Sequence, residues 1–286
     1  MEIKYLNGSE TTVFHYGRTP YITFRSFDGL DFVRHGFSTR LGGVSHGIYE
    51  SMNLCFTRGD DEEAVRRNFE LIGGALKISP EDMVYAMQTH TVNVMEAENR
   101  HRGMGVVRSR DYDGVDGLVT NVPGIALVTT YADCVPVFLA DPVKKTIGLV
   151  HSGWKGTVNN IAEAAVNRLL ELYGSKPENI SAFIGPSICR RCYEVGEDVA
   201  ELFAERYGRD AFVTGILNPV SPYKGKFLLD LHTANKINLM NAGILEENIG
   251  ITDICTCCNP GLLFSHRASK GQRGGMCGFL QIKDRD

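Results

Sequence analysis

The sequence has no apolar run approaching the ~18–20 residues that a membrane span requires, which excludes a membrane-spanning helix. It also lacks an excess of positive charge. Lys plus Arg is 30 against Asp plus Glu at 34, a net charge of −4, so the clustered basic footprint that neutralises nucleic-acid phosphates is not expected. No internal repeat, low-complexity tract or Pro/Ser-rich linker interrupts the 286 residues, so residues 1–286 are expected to form one domain. The first residues, Met1 to Gly8, do not follow a charged region with an apolar one, so a cytoplasmic location and reduced thiols are expected. No G-x-G-x-x-G follows a strand-like run, which removes support for a dinucleotide fold. Asp113-Gly114-Val115-Asp116-Gly117 is too short for an EF-hand loop and reads as a turn. None of the 8 histidines forms an H-x-H pair, which argues against electron transfer across several coppers.

What remains is a globular composition, 43% hydrophobic and 22% charged, with 8 Cys and 8 His as its unusual part. Val65, Phe69, Ile72 and Leu76 recur as one helical face does, although Gly73 and Gly74 weaken the end of that helix. Ser79-Pro80-Glu81-Asp82 reads as a helix start. Val158, Ile161, Ala165, Leu169 and Leu172 mark a helix closed by Gly174. Two more helices are expected around Val199–Phe203 and Ile237–Met240. Strand-like runs, rich in β-branched residues and bounded by Gly, Pro, Asp or Asn, cover 92–95, 124–130, 135–140, 146–150, 181–184 and 227–229. This mixture predicts an α+β layered fold with a mixed sheet.

The five residues Asp141–Lys145 between two of these runs predict an antiparallel hairpin. Pairing Ala140 with Thr146 would put Cys134 opposite Ser152 and His151 opposite Val135. A thiol and an imidazole then meet as diagonal neighbours at the open end. Such a pair can be a metal site, a Cys–His nucleophile with its base, or a half-buried Cys beside a solvent-facing His. His90, in Gln88-Thr89-His90 at the boundary of two elements, supplies a third candidate ligand. One Cys and two His match the three protein ligands of a catalytic zinc, which keeps a fourth position for water or substrate.

His151-Ser152-Gly153-Trp154-Lys155-Gly156-Thr157 leads from strand to helix. Its glycines, Lys155 and the helix N-terminus all favour an anion, and a tight structural turn is the plainer reading. Trp154, the single tryptophan, is a core anchor or a stacking surface. Arg40, Arg267 and Arg273 sit in glycine-rich loops and have the fork geometry that suits phosphate. Cys189–Cys192 and Cys255–Cys258 form two C-x-x-C pairs. Cys192 and Cys255 are separated by 63 positions, far more than zinc-ribbon spacing of ~15–20. These five cysteines, Cys257 included, are expected to be packing residues with a labile disulfide among them.

The segments His35–Ser45, Gln88–His90, Asp116–Thr120, Ala132–Pro136, His151–Thr157, Ile184–Ile188 with Cys192–Val195, and Asp230-Leu231 together resemble the laccase-domain proteins. That family was long labelled multicopper polyphenol oxidases and later described as purine nucleoside phosphorylases. The resemblance implies zinc bound through His90, Cys134 and His151, the same three residues reached above. It also implies phosphorolysis of adenosine, inosine and methylthioadenosine, adenosine deamination, and, for some members, a copper-dependent phenol oxidase activity. The implied fold is α+β with a mixed sheet, similar to the cytotoxic-necrotizing-factor-like thiol hydrolase fold with its Cys–His pair. The family often has Tyr before the arginine of its C-terminal motif, where this chain has His266.

The leading expectation is therefore a zinc-dependent purine nucleoside enzyme. Cys134, His151 and Asp133 are its expected catalytic residues, Asp133 because it neighbours a ligand. Arg40, Lys155, Arg267 and the Ser152–Thr157 turn are expected to bind phosphate. Copper is an alternative occupant, since affinity rises towards copper. A metal-free Cys134–His151 hydrolase is a further alternative. The expected partners are purine nucleosides and phosphate, with no nucleic acid or membrane, and a homodimer is left open.

Overall fold

The computed structural model describes the chain apart from residues 1, 7, 9, 222–224 and 285–286. It is an α+β structure, but with two mixed six-stranded sheets where the sequence pattern suggests one. The first sheet runs Thr12–His15, Tyr21–Phe24, Val33–Ser38, Met276–Ile282, Ala126–Tyr131 and Met83–Tyr85. The second runs Ile249–Ile251, Ser181–Ile184, Val135–Asp141, Thr146–Ser152, Gly117–Thr120 and Val94–Glu96. A third, three-stranded sheet joins Glu194–Gly196, Lys226–Leu229 and Leu217–Ser221.

The layers follow from which faces are apolar. Between the two large sheets lies a core of Phe24, Leu127, Leu280, Phe138, Leu149 and Phe183. Phe24 stacks on Phe183 at 4.0 Å between ring centroids and meets Phe138 edge-on at 4.7 Å. Helix Glu62–Leu76 covers the outer face of the first sheet. Its Val65, Phe69 and Ile72 are fully buried against Ala126, Val128 and Phe279, each contributing roughly 1.5–3 kcal/mol of hydrophobic stabilisation. Asp61 caps that helix by accepting from the Glu63 amide, and Glu62 and Glu63 complement its positive end. Helices Ile161–Tyr173 and Leu231–Asn241 cover the outer face of the second sheet. Among the described residues no helix is long and apolar enough to cross a membrane.

Three local expectations change. Residues 80–82 form a single 3-10 turn, not a helix start, because Met83, Val84 and Tyr85 are drawn into a buried strand parallel to Ala126–Val128. The helix expected through Val158 is two helices, Trp154–Val158 and Ile161–Tyr173. Asn160 breaks them apart in the left-handed conformation, at φ 62, and its side chain caps the second helix by accepting from the Glu163 amide. The hairpin is present, but its register is one residue away from the expected one. Asp141 pairs with Thr146, so His151 faces Pro136 and Ser152 faces Val135. The cause is Asp141 itself, which stays in the strand while its carboxylate accepts from the Val143 and Lys144 amides and tightens the turn.

Candidate metal centre and its cavity

The slip in register leaves Cys134 and His151 adjacent. Cys134 ends the loop entering Val135–Asp141, and His151 lies near the end of the antiparallel partner strand. His90 arrives from the first sheet's side, in the loop after Met83–Tyr85, at a left-handed φ of 64. The donor atoms of His90, Cys134 and His151 all lie within 4.8 Å of one another. The His90 and His151 rings meet edge to face at 5.0 Å.

Asp116 holds this arrangement. It is fully buried. Its Oδ1 lies 2.9 Å from His151 Nδ1 and accepts from the His90 amide at 3.1 Å. Its Oδ2 accepts from the amides of Thr89 and Thr91, at 2.9 and 2.8 Å, and from the Thr91 hydroxyl. One carboxylate thus shapes the His90 turn and, by engaging Nδ1, turns His151 Nε2 towards the ligand cluster. The sequence pattern assigned Asp116 only to a turn; its five side-chain contacts come from two separate segments, residues 89–91 and His151, that meet it only in the fold.

The electrostatics agree with the geometry. Burial pushes the Cys134 thiol up, but His151 and His90 outweigh it and bring it down to about 6. Burial pulls His151 down, yet Cys134 and Asp116 raise it to about 9. Burial raises Asp116, and its hydrogen bonds from His151, Thr91 and Thr89 pull it down to about 2. Gly153 keeps the space open, because a Cβ there would sit 3.0 Å from Cys134 Sγ and 3.3 Å from His90 Cδ2. The donor set is chemically that of a zinc or copper site, two imidazoles and one thiolate. The donor atoms lie within 4.8 Å of one another, against the ~3.5 Å edges of a tetrahedral zinc site.

A cavity of about 470 Å³ opens on the three ligands. Trp154, Tyr131 and Tyr193 supply aromatic wall, and Arg58, His266, Arg267 and Arg273 supply a basic rim. A depression of about 530 Å³ elsewhere, beside Val44, Asp60 and Arg67, holds no thiol and no Phe, Tyr or Trp.

The expected phosphate ligands separate. Arg267 lines the cavity, although its guanidinium also donates to the Cys192 and Glu194 carbonyls. Arg40 does not line it. Its Nε and Nη2 donate to the Glu50 carbonyl, its Nη1 donates to the Pro260 carbonyl, and its flat face covers Phe264 at 4.6 Å. Those contacts make it a clasp between two loops, outside the cavity wall. Lys155 is exposed beside Trp154 and is not part of the cavity wall. The Ser152 and Thr157 hydroxyls are likewise committed, to each other and to Asn235.

Arg273 is the better candidate. It borders the cavity, and its Nε is buried with no partner among the described residues. Arg58, which no sequence motif marked, stands near enough to it that burial and Arg58 together lower the Arg273 pKa. Asp133 also lines the cavity, in a left-handed conformation at φ 88. Its Oδ1 accepts from the Thr256 hydroxyl at 2.6 Å and its Oδ2 from the Arg267 amide at 2.7 Å. Both oxygens therefore tie down the loops that carry the basic rim.

The chain as a whole has recognisable relatives. The family model described as multi-copper polyphenol oxidoreductase laccase matches residues 34–283, and the chain belongs to that family. It is 36% identical to the purine nucleoside phosphorylase YlmD of Bacillus subtilis, over 87% of this chain and 88% of that protein. It is 34% identical to the adenosine deaminase RL5 of an unknown prokaryotic organism, over 83% of this chain and 92% of that one. The crystal structure of the hypothetical protein YfiH from Bacillus licheniformis superposes with a TM-score of 0.87 at 32% identity, covering 94% of this chain and 99% of that one. These likenesses support enzyme activity of the nucleoside phosphorylase type.

Proposed function

We propose that the protein is a cytoplasmic, zinc-dependent purine nucleoside enzyme. It cleaves adenosine, inosine and methylthioadenosine with phosphate to the free base and a ribose 1-phosphate, and it deaminates adenosine. The observation that carries this reading is a single cavity bordered by three things: the His90–Cys134–His151 donor set, an aromatic wall that includes Trp154, and an arginine with an unpartnered buried Nε.

His90, Cys134 and His151 hold the metal, Cys134 as thiolate and His151 as neutral imidazole with Asp116 on its Nδ1. Bound there, zinc supplies Lewis-acid polarisation and lowers the pKa of a water to roughly 7. Trp154 stacks on the purine, as aromatic side chains do on bases of any kind. Arg273, Arg58 and Arg267 hold phosphate in bidentate fashion and present one oxygen to the sugar carbon that bears the base. Asp133 positions that rim through the Arg267 amide. Deamination uses water in the same cavity without the arginines.

The donor set also suits copper, the ion that the family's oxidase label implies. A metal-free hydrolase remains a rival because Cys134 and His151 are paired as thiolate and imidazolium would be. The test is metal analysis of the purified protein together with adenosine turnover, with and without phosphate. Ribose 1-phosphate formed only with phosphate, and inosine formed without it, support the reading. The absence of both base release and inosine overturns it.

A further inference from the structure

The two C-x-x-C pairs meet. Strands Ser181–Ile184 and Ile249–Ile251 are parallel neighbours, with Ile184 opposite Ile251, so both chains leave the sheet at the same end. The pairing continues in a bridge between Ser187 and Cys255 and in the Thr256 amide donating to the Ser187 carbonyl at 3.1 Å. Cys189 and Cys192 then face Cys255 and Cys258, and the four sulfur atoms all lie within 4.8 Å of one another. Cys192 Sγ and Cys258 Sγ are 3.5 Å apart, near the ~3.8 Å edge of a tetrahedral site with zinc–sulfur bonds of about 2.3 Å. The Cys189 amide donates to Cys255 Sγ at 3.2 Å, a contact that stabilises a thiolate. Ile188 and Leu6 cover the cluster. The exposed Arg190 and Arg191 lie between the first two thiols, where they offset the negative charge of a tetrathiolate. Cys257 lies between the ligands of the second pair but outside the tetrad.

We infer that Cys189, Cys192, Cys255 and Cys258 form a second metal site, a closed tetrathiolate that holds one zinc ion in a structural role. The four thiols release their protons and each sulfur gives an electron pair to the ion. Four ligands and no open position mark a structural site, in contrast to the three-ligand centre. An iron–sulfur cluster does not fit, because several irons and bridging sulfides would have to separate thiolates that here nearly touch. The site joins the 187–193 loop to the 255–267 segment. Between its ligands, Thr256 donates to Asp133, so the ion also braces the wall that carries Arg267.

Elemental analysis of the chain, purified under reductant without chelator, decides this. About two zinc ions per chain are expected. Cys192→Ser with Cys258→Ser loses one of them, and Cys257→Ser loses none. A Cys134→Ala variant, which empties only the three-ligand centre, keeps one ion, and its X-ray absorption spectrum shows a sulfur-only shell at about 2.3 Å. That variant also serves if the double variant fails to fold, and it separates this site from the proposed active centre. Iron in place of zinc, a metal-free Cys134→Ala protein, or immediate reaction of all four thiols with a thiol reagent in the native state would overturn the inference.

Discussion

Asp116 Oδ1 lies 2.9 Å from His151 Nδ1, and the same buried carboxylate accepts three consecutive backbone amides around His90. Both histidines of the proposed metal site therefore hang on one side chain. Asp116→Asn should cut metal affinity by roughly 10–100-fold. It should also destabilise the fold by about 1–3 kcal/mol, since buried donors lose a charged acceptor. Metal titration and thermal unfolding of the variant check both parts. Unchanged metal content would mean that Asp116 does not orient the ligands.

The Cys134–His151 pair sets a pH window for the metal-free protein. Cys134 is depressed to about 6, so its contribution to stability is lost as pH falls through 6. His151 is raised to about 9, so its contribution is complete below its ordinary value near 6.5 and lost as pH rises through 9. Tm should decline on both sides of that window. Thiolate absorbance should appear near pH 6 and be absent in Cys134→Ser. A thiolate transition near the unperturbed ~8.5 would contradict the pairing.

Gly153→Ala tests the open space beside the ligands. The added Cβ meets Cys134 Sγ at 3.0 Å, where the metal must bond. Loss of metal with little change in secondary structure is expected, read by elemental analysis and circular dichroism.

Arg273→Met separates the two proposed reactions. Removing a charged donor to phosphate costs about 1.5–3 kcal/mol, so KM for phosphate should rise roughly 10–100-fold while phosphate-independent deamination is unchanged. Equal loss of both activities would point to a structural defect.

His90→Ala decides between metal and thiol chemistry. Loss of both bound metal and turnover is expected. Retained turnover in the metal-free variant would favour a Cys134–His151 hydrolase.

Much of the centre was legible because it is carried by a local pattern. A short turn between two apolar runs brings residues on either side of it together, so Cys134 and His151 could be paired without knowing the rest of the fold. The one-residue register error came from Asp141, which belongs both to the strand and to the turn. The position of Arg40 outside the cavity is not legible in the sequence, because a guanidinium in a glycine-rich loop looks the same whether it faces a ligand or two backbone carbonyls. Arg58 and Arg273 acquire a shared role only when the 57–58 and 266–273 segments border one cavity.

The sequence by itself determined the elements with a strong period and the hairpin that pairs Cys134 with His151, because these depend on neighbours a few residues apart. Only the tertiary structure decided what surrounds Asp116 and that four of the cysteines cluster. Asp116 takes its partners from separate segments, and the C-x-x-C pairs, 63 positions apart in the chain, become neighbours because two parallel strands leave the sheet in step. Pairing between distant strands is set by burial of both sheet faces, and spacing along the chain does not encode it.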